Sequence, residues 1–134
     1  MSKSIQEDGE KLIGQGEAIF RRDVQSAYGE QDFNLTVRRA QEVVELVLKG
    51  GLKILGVDYP RIHDVAPVFS ELVKQKIGAS DTGVLDRVEQ SSLWLSQARA
   101  SSFYFERDYN VQDARQAVQD AEFVLEAVKR LLGL

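Results

Sequence analysis

The 134-residue, 15.0 kDa chain has a formal net charge of −4, with 43% hydrophobic and 28% charged residues. That size fits one domain over 1–134 able to bury a core unaided, and the acidic balance excludes a surface that as a whole traps phosphate backbones. With no cysteine, disulfides, thiolate zinc sites, iron–sulfur clusters and cysteine nucleophiles are excluded, and no stretch approaches the roughly 20 apolar residues of a spanning helix.

The first predicted helix covers about Ser4 to Tyr28, with Ile5, Leu12, Phe20, Val24 and Ala27 at helical spacing and Ile13 and Ile19 widening the stripe. Gly14 and Gly16 interrupt it, so a kink, a break or a close helix approach is expected there. In the short connector that follows, Gly29 suits a helix end and Asp32 the N-cap of the next helix. The central helix, Phe33 to about Leu55, has the strongest pattern: Phe33, Val37, Ala40, Val44, Val47, Leu48, Gly51, Ile54 and Leu55 form one stripe, and Gly56 suits a left-handed stop. Gly50-Gly51 within it reads as a notch for a crossing helix or as backbone open to a ligand.

After a connector broken by Pro60, a shorter helix is expected from His63 or Asp64, with Pro67 in its first turn and Val65, Val68, Phe69, Leu72, Val73 and Ile77 facing inward. The glycine-rich stretch 78–83 is expected to be a mobile tip. The fourth helix, about Val84 to Phe105, would bury Val84, Val88, Leu95, Ala98 and Phe105. Trp94, Phe103 and Tyr104 lie off that stripe, which points to an oligomer contact. Asn110 caps a last helix whose Ala114, Val118, Ala121, Leu125, Val128 and Leu132 keep four-three spacing. The expected fold is all-α, an up-and-down bundle of four to five helices.

Three pieces of this sequence, in order, resemble the HEPN family of small helical-bundle domains. They are Ala40 to Lys49 with its glutamate and lysine four apart, the link Gly56 to Val65 entering the next helix through His63-Asp64, and Tyr109 to Ala114 before an alanine-rich final helix. Gly50 and Gly51 depart from the alanine-leucine pair usual after the lysine. The ribonuclease members carry an arginine followed four to six residues later by histidine near the end of the penultimate helix. Here Ala100 to Arg107 stands in that region, and no histidine follows His63. Phosphodiester cleavage needs a proton-transfer group near neutral pKa or a metal, so the enzymatic route of the family is not expected.

Candidate ligand- or partner-binding residues are Arg39, Glu45, Lys49, His63, Asp64 and Arg99. Glu45 and Lys49 read either as an exposed i,i+4 pair or as part of a binding face. His63 and Asp64 read as a helix cap or a ligand contact. If Arg39, Lys49, His63 and Arg99 converge, they form a phosphate-binding groove on an acidic protein. No catalytic residue, metal or cofactor is assigned. The lack of a long apolar run suggests a cytoplasmic chain without membrane contact, the off-stripe aromatics a homodimer, and the resemblance with its catalytic motif missing a non-catalytic module. It would bind nucleotide or RNA phosphate, or dock on a minimal nucleotidyltransferase in a toxin–antitoxin type of system. A degenerate metal-independent ribonuclease toxin and a purely structural dimeric module are the alternatives.

Overall fold

The computed structural model describes residues 3–78, 82–104 and 107–134. These form five helices and no strand. Helix α1 is α-helical over Lys3–Ile19, widens into a π-helical turn at Phe20–Val24 and closes with an α-helical turn at Gln25–Gly29. Then come α2 (Phe33–Ile54), α3 (Ala66–Lys76), α4 (Thr82–Phe103) and α5 (Val111–Leu131). Helix α2 packs against all four others, most extensively against α1, α5 and α4. Its buried residues include Val37, Ala40, Val43, Val44, Val47, Leu48 and Leu52, a wider surface than the single predicted stripe. Val43 and Leu52 join the core because neighbours cover α2 on several sides, while Phe33, Ile54 and Leu55 remain half-buried.

The α1–α2 link turns through Gln31, whose φ of +62° makes it, rather than Gly29, the left-handed residue. Asp32 caps α2 by accepting from Leu35 N–H at 3.2 Å, and Gly56 ends it with φ +89°. The expected kink at Gly14 is absent, and that glycine is exposed with open space where a side chain would stand. The close approach expected as one alternative is met at Gly16, and Gly9 and Gly50 share it. A Cβ on Gly50 would lie 2.6 Å from the carbonyl oxygen of Gly9, and one on Gly16 would lie 2.8 Å from Val47 Cγ2. The α1 stripe therefore runs Gly9, Ile13, Gly16, Phe20, Val24, Ala27, with Leu12 and Ile5 half-buried.

Gly51 faces the other way, where an added Cβ would lie 2.7 Å from the Phe69 ring and 3.4 Å from Val128. The pair is thus a packing notch. The expectation of backbone open to a ligand is overturned, because both positions are filled by the chain's own helices.

Helix α3 begins two residues later than expected, with Val65 in the N-cap place and Pro67 in the first turn. Helix α4 buries Leu85, Val88, Ser91, Ser92, Leu95, Ala98 and Ser102, while Val84 is half-buried. The side chains of Phe103 and Phe105, and residues 79–81 of the expected tip, lie outside the described residues. Asn110 and Asp113 form a reciprocal capping box on α5, at 2.9 and 3.0 Å. Buried Asn34 of α2 clamps the α4–α5 link: it donates to Arg107 O at 3.0 Å and Ser102 O at 3.4 Å, and accepts from Tyr109 N–H at 2.8 Å. Lys129 of α5 reaches Glu17 of α1 at 2.9 Å.

Candidate functional site

Residues 41, 45 and 49 follow one another at i,i+4 on α2 and so share one line on its surface. Glu45 is the centre of this line. Its Oε2 accepts from Lys49 Nζ at 2.8 Å, and its Oε1 accepts from Gln41 Nε2 at 2.7 Å and pairs with His63 Nδ1 at 2.9 Å. An ionised carboxylate only accepts, so the Nδ1 of His63 that faces it carries a proton. Burial alone would raise the Glu45 pKa. Hydrogen bonds from Lys49, Gln41 and His63, with the Lys49 charge, outweigh burial and hold the group below the usual carboxylate range.

The Glu45–Lys49 pair is not the solvent-exposed pair of the plainer reading, since the two side chains are 19% and 14% exposed. Lys49 also sits 4.9 Å from the centroid of the Tyr59 ring, and Lys53 5.5 Å from it and 3.6 Å from Asp58. Together these contacts hold the segment 57–64 against α2. His63 remains half exposed at its edge.

The other candidates divide. Arg99 Nε of α4 donates to Gln41 Oε1 at 3.1 Å, which completes a relay from Arg99 through Gln41 and Glu45 to His63. Asp64 turns away from it, accepting from Ser92 Oγ at 2.7 Å and from Ala66 N–H at 3.4 Å. It therefore contributes to opening α3, whereas His63 does not cap the helix. Arg39 pairs with Glu42 at 2.6 Å and has no bond to Glu45.

The four basic groups thus do not stand together as an uncompensated phosphate groove. Each one bonds an acid or an amide, and the nearby cleft of about 240 Å³ is lined by Glu42 and Glu45 against the single guanidinium of Arg99, with Gln15, Ile19, Gln41 and Leu46. Glu42 and Glu45 are themselves paired with Arg39 and Lys49, which leaves Arg99, hydrogen-bonded to a neutral amide, as the one basic side chain lining this cleft.

Beside the His63 segment lies an apolar groove of about 420 Å³. It is formed by Val57, Pro67, Val68 and Leu72, with Glu71 and Gln75 at its edge. Ile62, next to His63, is 50% exposed, and Ile77 at the end of α3 is 45% exposed. Sequence periodicity placed Val68 and Leu72 on the inner face, and it could not show that this face is only partly covered. It also missed Gln41, a polar residue inside an apolar stripe. Trp94, read as an oligomer contact, is half-buried and donates its Nε1–H to buried Asp120 of α5 at 2.7 Å. Its position off the stripe thus has a partner within the chain.

Among the described residues no cluster of three or more histidine or acidic side chains is placed to hold a metal ion, and no helix is long and apolar enough to cross a membrane. A family model described as HEPN domain matches residues 9–131. Comparison with curated proteins gave no match, and neither did comparison with solved structures.

Proposed function

The chain belongs to the HEPN domain family, and on that premise we propose that it is a non-catalytic docking module that binds a partner protein through the 57–64 segment and α3. The observation carrying this reading is the pairing of a fixed segment with uncovered apolar surface. The Glu45 centre holds His63 and Tyr59 in place, and Ile62 with the Val57–Pro67–Val68–Leu72 groove offers the apolar area beside them. Preorganised apolar surface with a polar edge suits protein association. The partner implied by the family is a minimal nucleotidyltransferase of a toxin–antitoxin type of system. A homodimer accords with Leu93 of α4 and with Tyr104 just past its end, which are 48% and 68% exposed.

Phosphate binding is the weaker form of this reading, because Arg99 alone among basic side chains lines the cleft beside Glu45 and it is already hydrogen-bonded to Gln41. A ribonuclease reading draws on the carboxylate-oriented His63 and its relay to Arg99, but His63 does not line the cleft that Arg99 enters. Loss of RNA cleavage on His63→Ala would favour it, and absence of cleavage by the intact protein would remove it.

The docking reading is tested by affinity purification of the tagged chain from its native host. A nucleotidyltransferase should be recovered with the wild type and lost with Ile62→Asp, a substitution at an exposed position that leaves the core intact. Recovery of no nucleotidyltransferase, or undiminished recovery with Ile62→Asp, would overturn the proposal.

A further inference from the structure

A groove runs between α4 and the first half of α5, where two cavities of about 420 and 270 Å³ share Trp94 and Asp113 in their walls. The larger cavity is lined by Asp120, which is only 5% exposed. The Asp120 carboxylate accepts from Trp94 Nε1–H at 2.7 Å and from Gln116 Nε2–H at 3.0 Å, so the indole is held in one orientation. Its nearest cationic contact is loose. The Arg87 guanidinium stands 3.7 Å from Oδ1 and lies 4.0 Å from the centroid of the Phe123 ring instead, with its side chain 47% exposed.

A carboxylate buried to this extent is costly unless a charge meets it closely. Two neutral donors and a distant guanidinium leave acceptor capacity on both of its oxygens. The adjoining wall carries a second carboxylate, Asp113, and the indole itself, whose face attracts cations.

We propose that this cavity receives the side chain of an arginine presented by a basic segment of a partner protein. Its guanidinium would stack on Trp94 and donate to Asp120, with Asp113 beside it. The planar, multidonor guanidinium suits an indole face next to a carboxylate better than an ammonium does, and the net charge of −4 on the chain favours a basic partner segment. In the free protein Arg87 stands at the edge of this place and competes weakly for Asp120. None of these residues belongs to the α3 docking surface, so the two proposals stand or fall separately.

Trp94 is the only tryptophan of the chain, and its emission therefore reports on the groove whose two cavities it lines. The probes are a short capped peptide with one arginine, the same peptide with neutral citrulline in its place, and AMP. The arginine peptide should give a saturable change in emission, with affinity about fivefold above that of the citrulline peptide. Asp120→Asn should weaken binding of the arginine peptide by about fivefold and leave the citrulline peptide little changed. Asp113→Asn, which keeps a capping oxygen for α5, should weaken arginine-peptide binding even if Asp120→Asn unfolds the chain. Arg87→Ala should tighten binding roughly threefold by removing the competing guanidinium. No saturable response to the arginine peptide, equal binding of the citrulline peptide, or weaker binding by Arg87→Ala would overturn the proposal. A response to AMP that depends on Arg87 would likewise overturn it and mark an anion site.

Discussion

Replacing Gly50 by alanine tests the α1–α2 crossing directly. The new Cβ would meet the Gly9 carbonyl oxygen at 2.6 Å, Ile13 Cγ1 at 2.8 Å and Ile13 N at 3.1 Å. Two of these atoms are backbone on a packed helix and cannot rotate away, so α1 must shift. Overpacking of this kind costs up to about 3 kcal/mol, and alanine returns about 1 kcal/mol of helix propensity, which leaves a net loss of about 2 kcal/mol. Gly14→Ala is the matched control: it gains the same propensity with nothing within 4 Å of the new methyl, so it should stabilise by about 1 kcal/mol. Urea unfolding followed by far-ultraviolet circular dichroism reads both, and with a slope of about 2 kcal/mol/M the midpoints should move down by about 1 M and up by about 0.5 M. A Gly50→Ala protein as stable as the wild type, or a destabilised Gly14→Ala, would refute the reasoning.

Glu45→Gln removes the carboxylate shared by Lys49, Gln41 and His63, leaving a largely buried ammonium without its counter-charge; it should cost roughly 1 to 3 kcal/mol in urea unfolding and speed amide exchange across 57–64. In the folded chain Glu45 titrates low because its hydrogen bonds outweigh burial, and Glu17 titrates low chiefly through its hydrogen bond from Lys129. The unfolded chain therefore takes up protons first as pH falls, so their contribution is complete above the ordinary glutamate pKa of about 4.3 and is lost as pH drops below it. Unfolding measured at several pH values should show this loss, with a shallower slope in Glu45→Gln. Asn34→Ala removes three hydrogen bonds that join α2 to the α4–α5 link; a loss of roughly 2 to 4 kcal/mol is expected, with the amide of Tyr109 exchanging much faster.

Apolar spacing and end signals made the helices legible, since Asp32, Gly56, Pro67 and Asn110 each act within a few residues of their own position. The π-helical turn at Phe20–Val24 was not legible, because an apolar pair four apart fits a widened turn as well as a regular one. Which glycine faces a neighbour depends on where that neighbour passes, and so Gly14 looked equivalent to Gly16 while Gly9 drew no notice. At the candidate site the Glu45–Lys49 pair followed from i,i+4 spacing. The contact of His63 with Glu45, 18 residues away, depends on how the connector folds back. Gln41, Asn34 and Asp120 are polar residues whose partners sit on other helices, and periodicity carries no sign of such pairing.

Gly50 and Gly51 look toward different helices, Gly50 to α1 and Gly51 to Phe69 of α3 and Val128 of α5. Neither position can take a side chain without movement of a packed neighbour. A side chain at Gly50 displaces α1 and one at Gly51 crowds the Phe69 ring, so the two substitutions load different helix contacts and their costs should be nearly additive. The dipeptide thus serves two separate helix crossings from adjacent positions of α2.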